Sequence, residues 1–350
     1  MRSRRKGQPP TIAIATNNGD LGGGEVMLLN IAQALREIGI AALVIGPREP
    51  GELVAVARTR GFETVELPAR CRVQYMAALA AWRLSHLRTP LWCNGLVPSL
   101  ATAALGPRLV HLHILPHGLQ RAALPLARLG ARRVLTVSEF MASRLPGTTV
   151  LPNWTADITP RHHRERDPQA PWRIGFLGRL TRDKGVPDLA RAITLLRSEG
   201  LEAELVLAGE NRFGSADDDR EITAALAPLG DAVRHLGWVR REEFFDAVDL
   251  AVFPSRWEEP FGLVAAEAMA ARVPFVITDS GAFPEVVGSD HPWIARRADP
   301  VDLAHTIRRA LEAPAGERTE LLERSRWRWE HTYSPRSGTA RVAHLIGDLR

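Results

Sequence analysis

The chain reads as an α/β protein built from two doubly wound parallel-sheet domains in tandem, and three observations say so. Its 350 residues exceed what one α/β core comfortably uses and suit two. Short apolar runs alternate with longer amphipathic ones in both halves, the pattern of strands feeding crossover helices. That alternation pauses once, at Asp157–Pro171, where Pro160, the run Arg161-His162-His163-Arg164-Glu165-Arg166 and Pro168 leave no apolar periodicity. A first domain over 1–160 and a second over 171–335 follow.

In the first half, Thr11–Thr16 reads as a strand, followed by a Gly-rich turn and a helix over Glu25–Ile38. Ala41–Ile45, Thr64–Leu67, Leu91–Cys93, Arg108–His113 and Val134–Val137 are further strands, with helical patterns at Val73–Leu87 and Leu119–Leu129. After the pause the alternation restarts with a strand at Trp172–Leu177 and a helix over Pro187–Arg197. Strands at Ala203–Ala208, Val233–His235, Asp249–Phe253 and Phe275–Thr278 come next, and a last helix near Arg336–Leu349 stands outside either repeat. Two such domains create a cleft, and doubly wound sheets bind ligands beyond the carboxyl ends of their strands.

Composition narrows the function classes. With 45% hydrophobic and 24% charged residues the chain is an ordinary folded protein. Its longest apolar stretches, such as Ile40–Ile45, are far shorter than a membrane span. The basic N-terminus has no apolar region behind it, so no secretory signal is expected. Cys71 and Cys93 make neither a disulfide framework nor a metal-ligand spacing, which points to a cytoplasmic location. The net charge is +5, yet lysine occurs only at Lys6 and Lys184, and no basic stretch is interleaved with aromatics. A nucleic-acid partner is therefore not expected. The tail Arg2-Ser3-Arg4-Arg5-Lys6 suits weak peripheral contact with anionic lipid. The oligomeric state is not legible.

The strongest chemical signal is the stretch Pro254-Ser255-Arg256-Trp257-Glu258-Glu259-Pro260-Phe261-Gly262-Leu263-Val264-Ala265-Ala266-Glu267-Ala268-Met269-Ala270. A strand ends at Phe253, a loop carries Glu259, and a helix starts near Phe261. The first turn, around Phe261, Gly262 and Leu263, offers N–H groups that make an anion site. Glu267 follows Glu259 by eight residues, about 12 Å of helical rise. Two carboxylates so spaced suit opposite ends of one long polar ligand whose phosphates lie between them. Two unremarkable surface glutamates are the alternative.

Other residues fit a phosphate-bearing ligand. Gly22, Gly23 and Gly24 come between the first strand and its helix, where glycines let a backbone approach a diphosphate. Their spacing is not G-x-G-x-x-G, which disfavours a nicotinamide site. His111 and His113 share one face of their strand near its carboxyl end, with His117 in the following loop. Asp217-Asp218-Asp219 contains a D-x-D string but opens a helix, where acidic residues suit the N-terminal dipole. No metal site is expected.

The 254–270 stretch resembles the E-x7-E motif of the family 4 retaining glycosyltransferases, which have the GT-B fold. Phe176-Leu177-Gly178-Arg179-Leu180-Thr181-Arg182-Asp183-Lys184-Gly185 resembles that family's phosphate-gripping loop. Val206-Leu207-Ala208-Gly209-Glu210, His235-Leu236-Gly237-Trp238-Val239 and Ser280-Gly281-Ala282-Phe283-Pro284-Glu285 follow in the family's order, and Leu21-Gly22-Gly23-Gly24-Glu25 and Val137-Ser138-Glu139-Phe140 match weaker landmarks. The resemblance implies two Rossmann-like domains facing a central cleft, with the helix 336–350 packing toward the first. It implies that Glu259 orients donor-sugar hydroxyls, Glu267 holds the ribose diol, and Arg179 and Lys184 grip the diphosphate. Gly22 and Gly23 would face the donor from the first domain, and His113 would lie near the transferred sugar. The implied reaction is metal-independent, cofactor-free transfer of a hexose-type sugar from a UDP- or GDP-linked donor to an unnamed acceptor, with retention of configuration. A sugar-nucleotide epimerase of the same architecture and a non-catalytic nucleotide-sugar binding protein are the alternatives. One departure stands out: where the family usually has a helix-closing glycine two residues after Ala270, this chain has Arg272.

Overall fold

The computed structural model describes residues 10–160, 167, 169–211 and 216–347. The basic tail Arg2–Lys6, the run Arg161–Arg166 and Pro168 lie outside the described residues. The chain divides into two compact units: Met1–Trp154 with Pro335–Arg350, and Thr155–Ser334.

The first unit is a seven-stranded parallel sheet. Its strands are β1 (Thr11–Ala15), β2 (Ala41–Pro47), β3 (Glu63–Leu67), β4 (Leu91–Asn94), β5 (Arg108–Leu112), β6 (Arg133–Thr136) and β7 (Thr149–Val150), in spatial order β3-β2-β1-β4-β5-β6-β7. The second unit repeats the plan with six parallel strands: β8 (Trp172–Leu177), β9 (Ala203–Ala208), β10 (Val233–Gly237), β11 (Leu250–Phe253), β12 (Phe275–Thr278) and β13 (Ile294–Ala295). Their order is β10-β9-β8-β11-β12-β13. Two doubly wound sheets are thus what the alternating pattern foretold. In each, winding reverses between the first and fourth strands, β1/β4 and β8/β11. Loops leaving those strand ends diverge to opposite faces and open a crevice, where such sheets take their ligands.

Near-continuous apolar strands mark sheets covered on both faces. In the first unit, Ile12, Ile14, Val44 and Trp92 pack with Met27, Leu28 and Leu35 of the helix Gly23–Glu37 on one side. Ala13, Ile45 and Cys93 pack with Tyr75 and Leu79 of the helix Arg72–Ser85 on the other. In the second unit, Ile174, Leu205 and Val252 pack with Leu189 and Ile193 of the helix Val186–Ser198 and with Leu303 and Ile307 of the helix Pro300–Glu312. The final helix, Pro335–Gly347, puts Val342, Leu345 and Ile346 into the first unit's core.

The structure departs from the sequence reading in places with clear causes. The pattern at Leu119–Leu129 is two short helices, Leu119–Ala122 and Leu124–Arg128, broken where Pro125 opens the second. The division between units falls at Trp154/Thr155, ahead of the 157–171 segment. Thr155 and Asp157 are tied into the second unit: Trp329 Nε1 donates to Thr155 Oγ1 at 2.8 Å, and Arg326 meets Asp157 at 2.6 Å. Among the described residues no helix is long and apolar enough to cross a membrane.

Candidate functional site

At the β8/β11 switch point, the loop 178–185 leaving β8 and the loop 254–262 leaving β11 are laced together. The Asp183 carbonyl accepts from the N–H groups of Arg256 and Trp257 at 2.9 and 3.0 Å. Gly185, in the left-handed region at φ +76°, lies so close to the Pro254 carbonyl that a Cβ would collide with it. Arg256 and Asp188 add an ion pair in which Asp188 is buried.

This lacing brings Lys184 and Glu259, 75 residues apart in sequence, to 2.6 Å between Nζ and Oε1. Ser255 Oγ donates to the same oxygen at 2.7 Å. Glu259 is buried and its main chain is fixed from behind, where Ala282 N–H donates to the Glu259 carbonyl at 2.8 Å. Gly281, at φ +59°, permits that approach, since a Cβ would collide with the Glu259 backbone. A buried carboxylate met by a cation and a hydroxyl is paid for in hydrogen bonds before any ligand arrives.

The helix beyond it is Leu263–Ala271, two residues later than the sequence suggests, because Gly262 caps it in the left-handed conformation at φ +90°. Of the helix's first N–H groups, which lack the usual acceptor four residues back, that of Ala265 donates to the Gly262 carbonyl at 3.1 Å. Phe261 is buried and packs edge-on against Tyr333 with ring centroids 5.4 Å apart, so its side chain belongs to the core. Glu267 lies at the middle of a helix whose residues from Ala265 to Ala271 are all buried. Arg241 Nε donates to Glu267 Oε1 at 3.0 Å, while Oε2 is buried without a partner among the described residues. A buried carboxylate oxygen left bare is an acceptor in want of a hydroxyl.

Arg179 is not drawn into the Lys184–Glu259 pair. It is exposed and its guanidinium turns to Asp183 at 3.4 Å. The Asp217–Asp219 string lies in the first turn of the helix Ala216–Leu226, where Asp217 pairs with Arg220.

At the β1/β4 switch point of the first unit, the helix begins at Gly23, with Gly22 as its extended N-cap. Buried Glu25 reaches back to the Gly22 N–H at 3.3 Å and accepts from Thr16 Oγ1 at 3.2 Å. Burial pushes its carboxyl pKa up, with the bonds from Asn18, Thr16 and the backbone pulling the other way. Strand β5 ends at Leu112, and half-buried His113 follows. His113 Nε2 bonds Asn94 Oδ1 at 2.7 Å, and Asn94 Nδ2 donates to the Gly24 carbonyl at 3.1 Å. Burial lowers the His113 pKa to about 4. His111, fully buried behind it, is pushed well below the ordinary value by burial first and by His113 second.

Sequence reasoning missed Ser255, Arg241 and Asn94. Ser255 sits inside the conspicuous 254–270 stretch, four residues before Glu259, and its spacing was a usable signal. Arg241 and Asn94 carry none, for each is one polar residue brought to its partner by sheet topology.

Residues 171–313 match the family described as glycosyl transferases group 1. A glycogen synthase of Mycobacterium tuberculosis is 27% identical over 239 residues, 68% of this chain and 49% of that protein. The 2-deoxystreptamine glucosyltransferase of Streptomyces kanamyceticus is 30% identical over 158 residues, 44% of this chain and 40% of the relative. The matched region thus spans about half or less of these relatives' length. Among solved structures, Anabaena HepE in complex with UDP-glucose superimposes with a TM-score of 0.81 at 20% identity, covering 97% of this chain and 99% of that one. The sucrose-phosphate synthase of Thermosynechococcus elongatus gives 0.81 at 19% identity, with 97% and 99% covered. The fold is therefore the two-domain, Rossmann-like fold of these solved structures, and the match to glycosyl transferases group 1 lies within the second unit.

Proposed function

We propose that the protein is a retaining glycosyltransferase that moves a hexose-type sugar from a UDP- or GDP-linked donor onto an acceptor. The observation that carries the reading is the second unit's paired carboxylates. Glu259 is held by Lys184 and Ser255 at the switch point, and Glu267 lies eight residues along the same chain segment with one buried oxygen unpartnered. The match of residues 171–313 to the glycosyl transferases group 1 family supports it, as does the UDP-glucose bound by HepE.

In this reading the bare Glu267 Oε2 accepts a ribose hydroxyl, with Arg241 orienting the carboxylate through its bond to Oε1. The diphosphate lies against the helix start at Gly262–Leu263, with Lys184 and Arg179 as its cations. Arg179 gives up its exposed, weak bond to Asp183 to reach it. Lys184 then acts twice: it orients Glu259 toward the sugar hydroxyls and neutralises charge growing on the leaving diphosphate as the glycosidic C–O bond breaks. Within the first unit, Gly22 and Gly23 offer backbone at a helix start, and His113 stands beside that turn. The departing diphosphate accepts the acceptor's proton, so no protein base is required, and no metal or other cofactor takes part.

The test is donor binding followed by product analysis. A nucleotide sugar at 100 times its Kd raises stability by about 2.7 kcal/mol. Glu267→Ala removes a charged hydrogen-bond acceptor worth about 1.5–3 kcal/mol and weakens donor binding roughly ten- to hundredfold. Unchanged affinity would place the ribose elsewhere. An inverted anomeric linkage in the product, read by NMR, would end the retaining assignment.

A further inference from the structure

We propose that Asn94 and His111 are positioning residues, holding His113 in a single tautomer through a relay that runs Trp92–His111–His113–Asn94–Gly24 across the β1/β4 switch point. The inference deepens the reading above by assigning the groups that fix His113, and its first test does not depend on that reading.

The two ends of the relay set every proton within it. Trp92 Nε1–H can only donate, so His111 Nδ1, 3.4 Å away, accepts and the His111 proton resides on Nε2. At the other end Asn94 Nδ2 donates to the Gly24 carbonyl, which leaves Oδ1 as the acceptor facing His113. His113 therefore donates through Nε2–H at 2.7 Å and carries a bare Nδ1. The two imidazoles are neighbours, with centroids 4.2 Å apart. Each has one buried nitrogen without a partner among the described residues, His111 Nε2 and His113 Nδ1. The ends of the relay make the first a donor and the second an acceptor. The unsatisfied atoms are complementary, and the proposed relay pairs them.

The surroundings hold the pair neutral. His113 is faced by Asn94 of β4, by His111 of its own strand and by Gly24 of the helix Gly23–Glu37, whose Cβ position would lie 3.6 Å from the ring. The nearest acid on that helix, Glu25, is turned to Thr16 and Gly22 instead. His111 is faced by Trp92. The relay therefore makes His113 a fixed, uncharged wall rather than a proton acceptor, and it anchors the glycine turn to the ends of β4 and β5.

Long-range 15N–1H NMR on the full chain, labelled at histidine, reads the tautomers directly. At pH 7 both His111 and His113 should show the Nε2–H pattern. An Nδ1–H pattern or an averaged mixture at His113 would overturn the relay. Asn94→Asp puts a carboxylate on His113 Nε2 and favours the imidazolium, so His113 proton affinity should rise at least tenfold; titration unchanged from the parent would also overturn it. His111→Phe keeps the bulk and removes the donor, and His113 should then lose its single tautomer; retention of the Nε2–H form would dismiss His111's part. In turnover with a donor that the parent uses, Asn94→Asp should add an acid limb to the kcat profile at unchanged donor KM, which a general loss of folding would not produce. A relay confirmed by NMR in a protein that turns over no sugar nucleotide would leave the relay standing and count against the transferase reading alone.

Discussion

At the scale of single residues, the clearest anomaly is Arg272. It closes the helix Leu263–Ala271 at φ +53°, ψ +38°, the left-handed conformation that glycine adopts without penalty. The chain keeps the geometry of a glycine cap while lacking the glycine, and so carries the steric cost of a Cβ there. Arg272 is exposed, and its charge helps hold the Asp157 carboxyl below its usual range, behind the larger effect of Arg326. Relief of the backbone outweighs loss of that weak surface attraction. Arg272→Gly should raise stability by up to about 1 kcal/mol, read as a higher urea midpoint at unchanged slope. A fall would mean that the guanidinium does more than the structure gives it. The same scale shows what was legible. Glu259, Lys184 and Glu267 could be named from local spacing, because each sits in a segment whose turn chemistry is written in neighbouring residues. Arg241 and Asn94 could not, since their partners lie 26 and 19 residues away, one on another helix and the other at the end of the neighbouring strand.

At the scale of elements, strands were easier to read than helices, because apolar runs four to six residues long flanked by turn residues have few alternative uses. Short helices suffered: the stretch 119–129 is continuous in pattern but broken in fact at Pro125. The edge strands Thr149–Val150 and Ile294–Ala295 went unread, since two residues carry no periodicity. How the final helix is seated depends on a detail invisible to pattern reading. Gly338, buried in the helix Pro335–Gly347, faces the Trp154 ring so closely that a Cβ would overlap it. Glycine in a helix ordinarily costs about 1 kcal/mol against alanine. Here the sign reverses, because a methyl group must displace an indole that is itself buried in the first unit's core. Gly338→Ala should therefore destabilise by about 1–3 kcal/mol, the usual cost of overpacking. Hydrogen exchange along 335–347 should quicken, and a variant more stable than the parent would show that Trp154 has room to move.

At the scale of the whole molecule, acid should unfold the two units by different numbers of protons. His111 and His113 lie in the first unit and His291 in the second. Burial depresses all three, His111 well below its ordinary value and the other two to about 4. A histidine whose folded pKa lies below its unfolded value of about 6.5 contributes stability above that value and loses it as pH falls toward the folded one. Glu25, in the first unit, has the opposite sign: its raised pKa makes ionisation costly in the fold, so protonation as pH falls relieves part of the loss. The second unit offers the simpler case, one histidine held by a bond from His291 Nε2 to the Phe275 carbonyl at 3.2 Å. Between about pH 6.5 and 4 that unit should lose up to about 1.4 kcal/mol per pH unit, the slope of one proton. Because two units need not unfold together, the measurement is hydrogen exchange resolved to each, at pH values from 7.5 to 4.5 and corrected for the intrinsic rate. His291→Gln, which keeps a donor for the Phe275 carbonyl and cannot titrate, should flatten the second unit's slope and leave the first unit's unchanged. A second unit whose opening energy stays constant across that range in the parent would mean that His291 is solvated enough to keep its ordinary pKa.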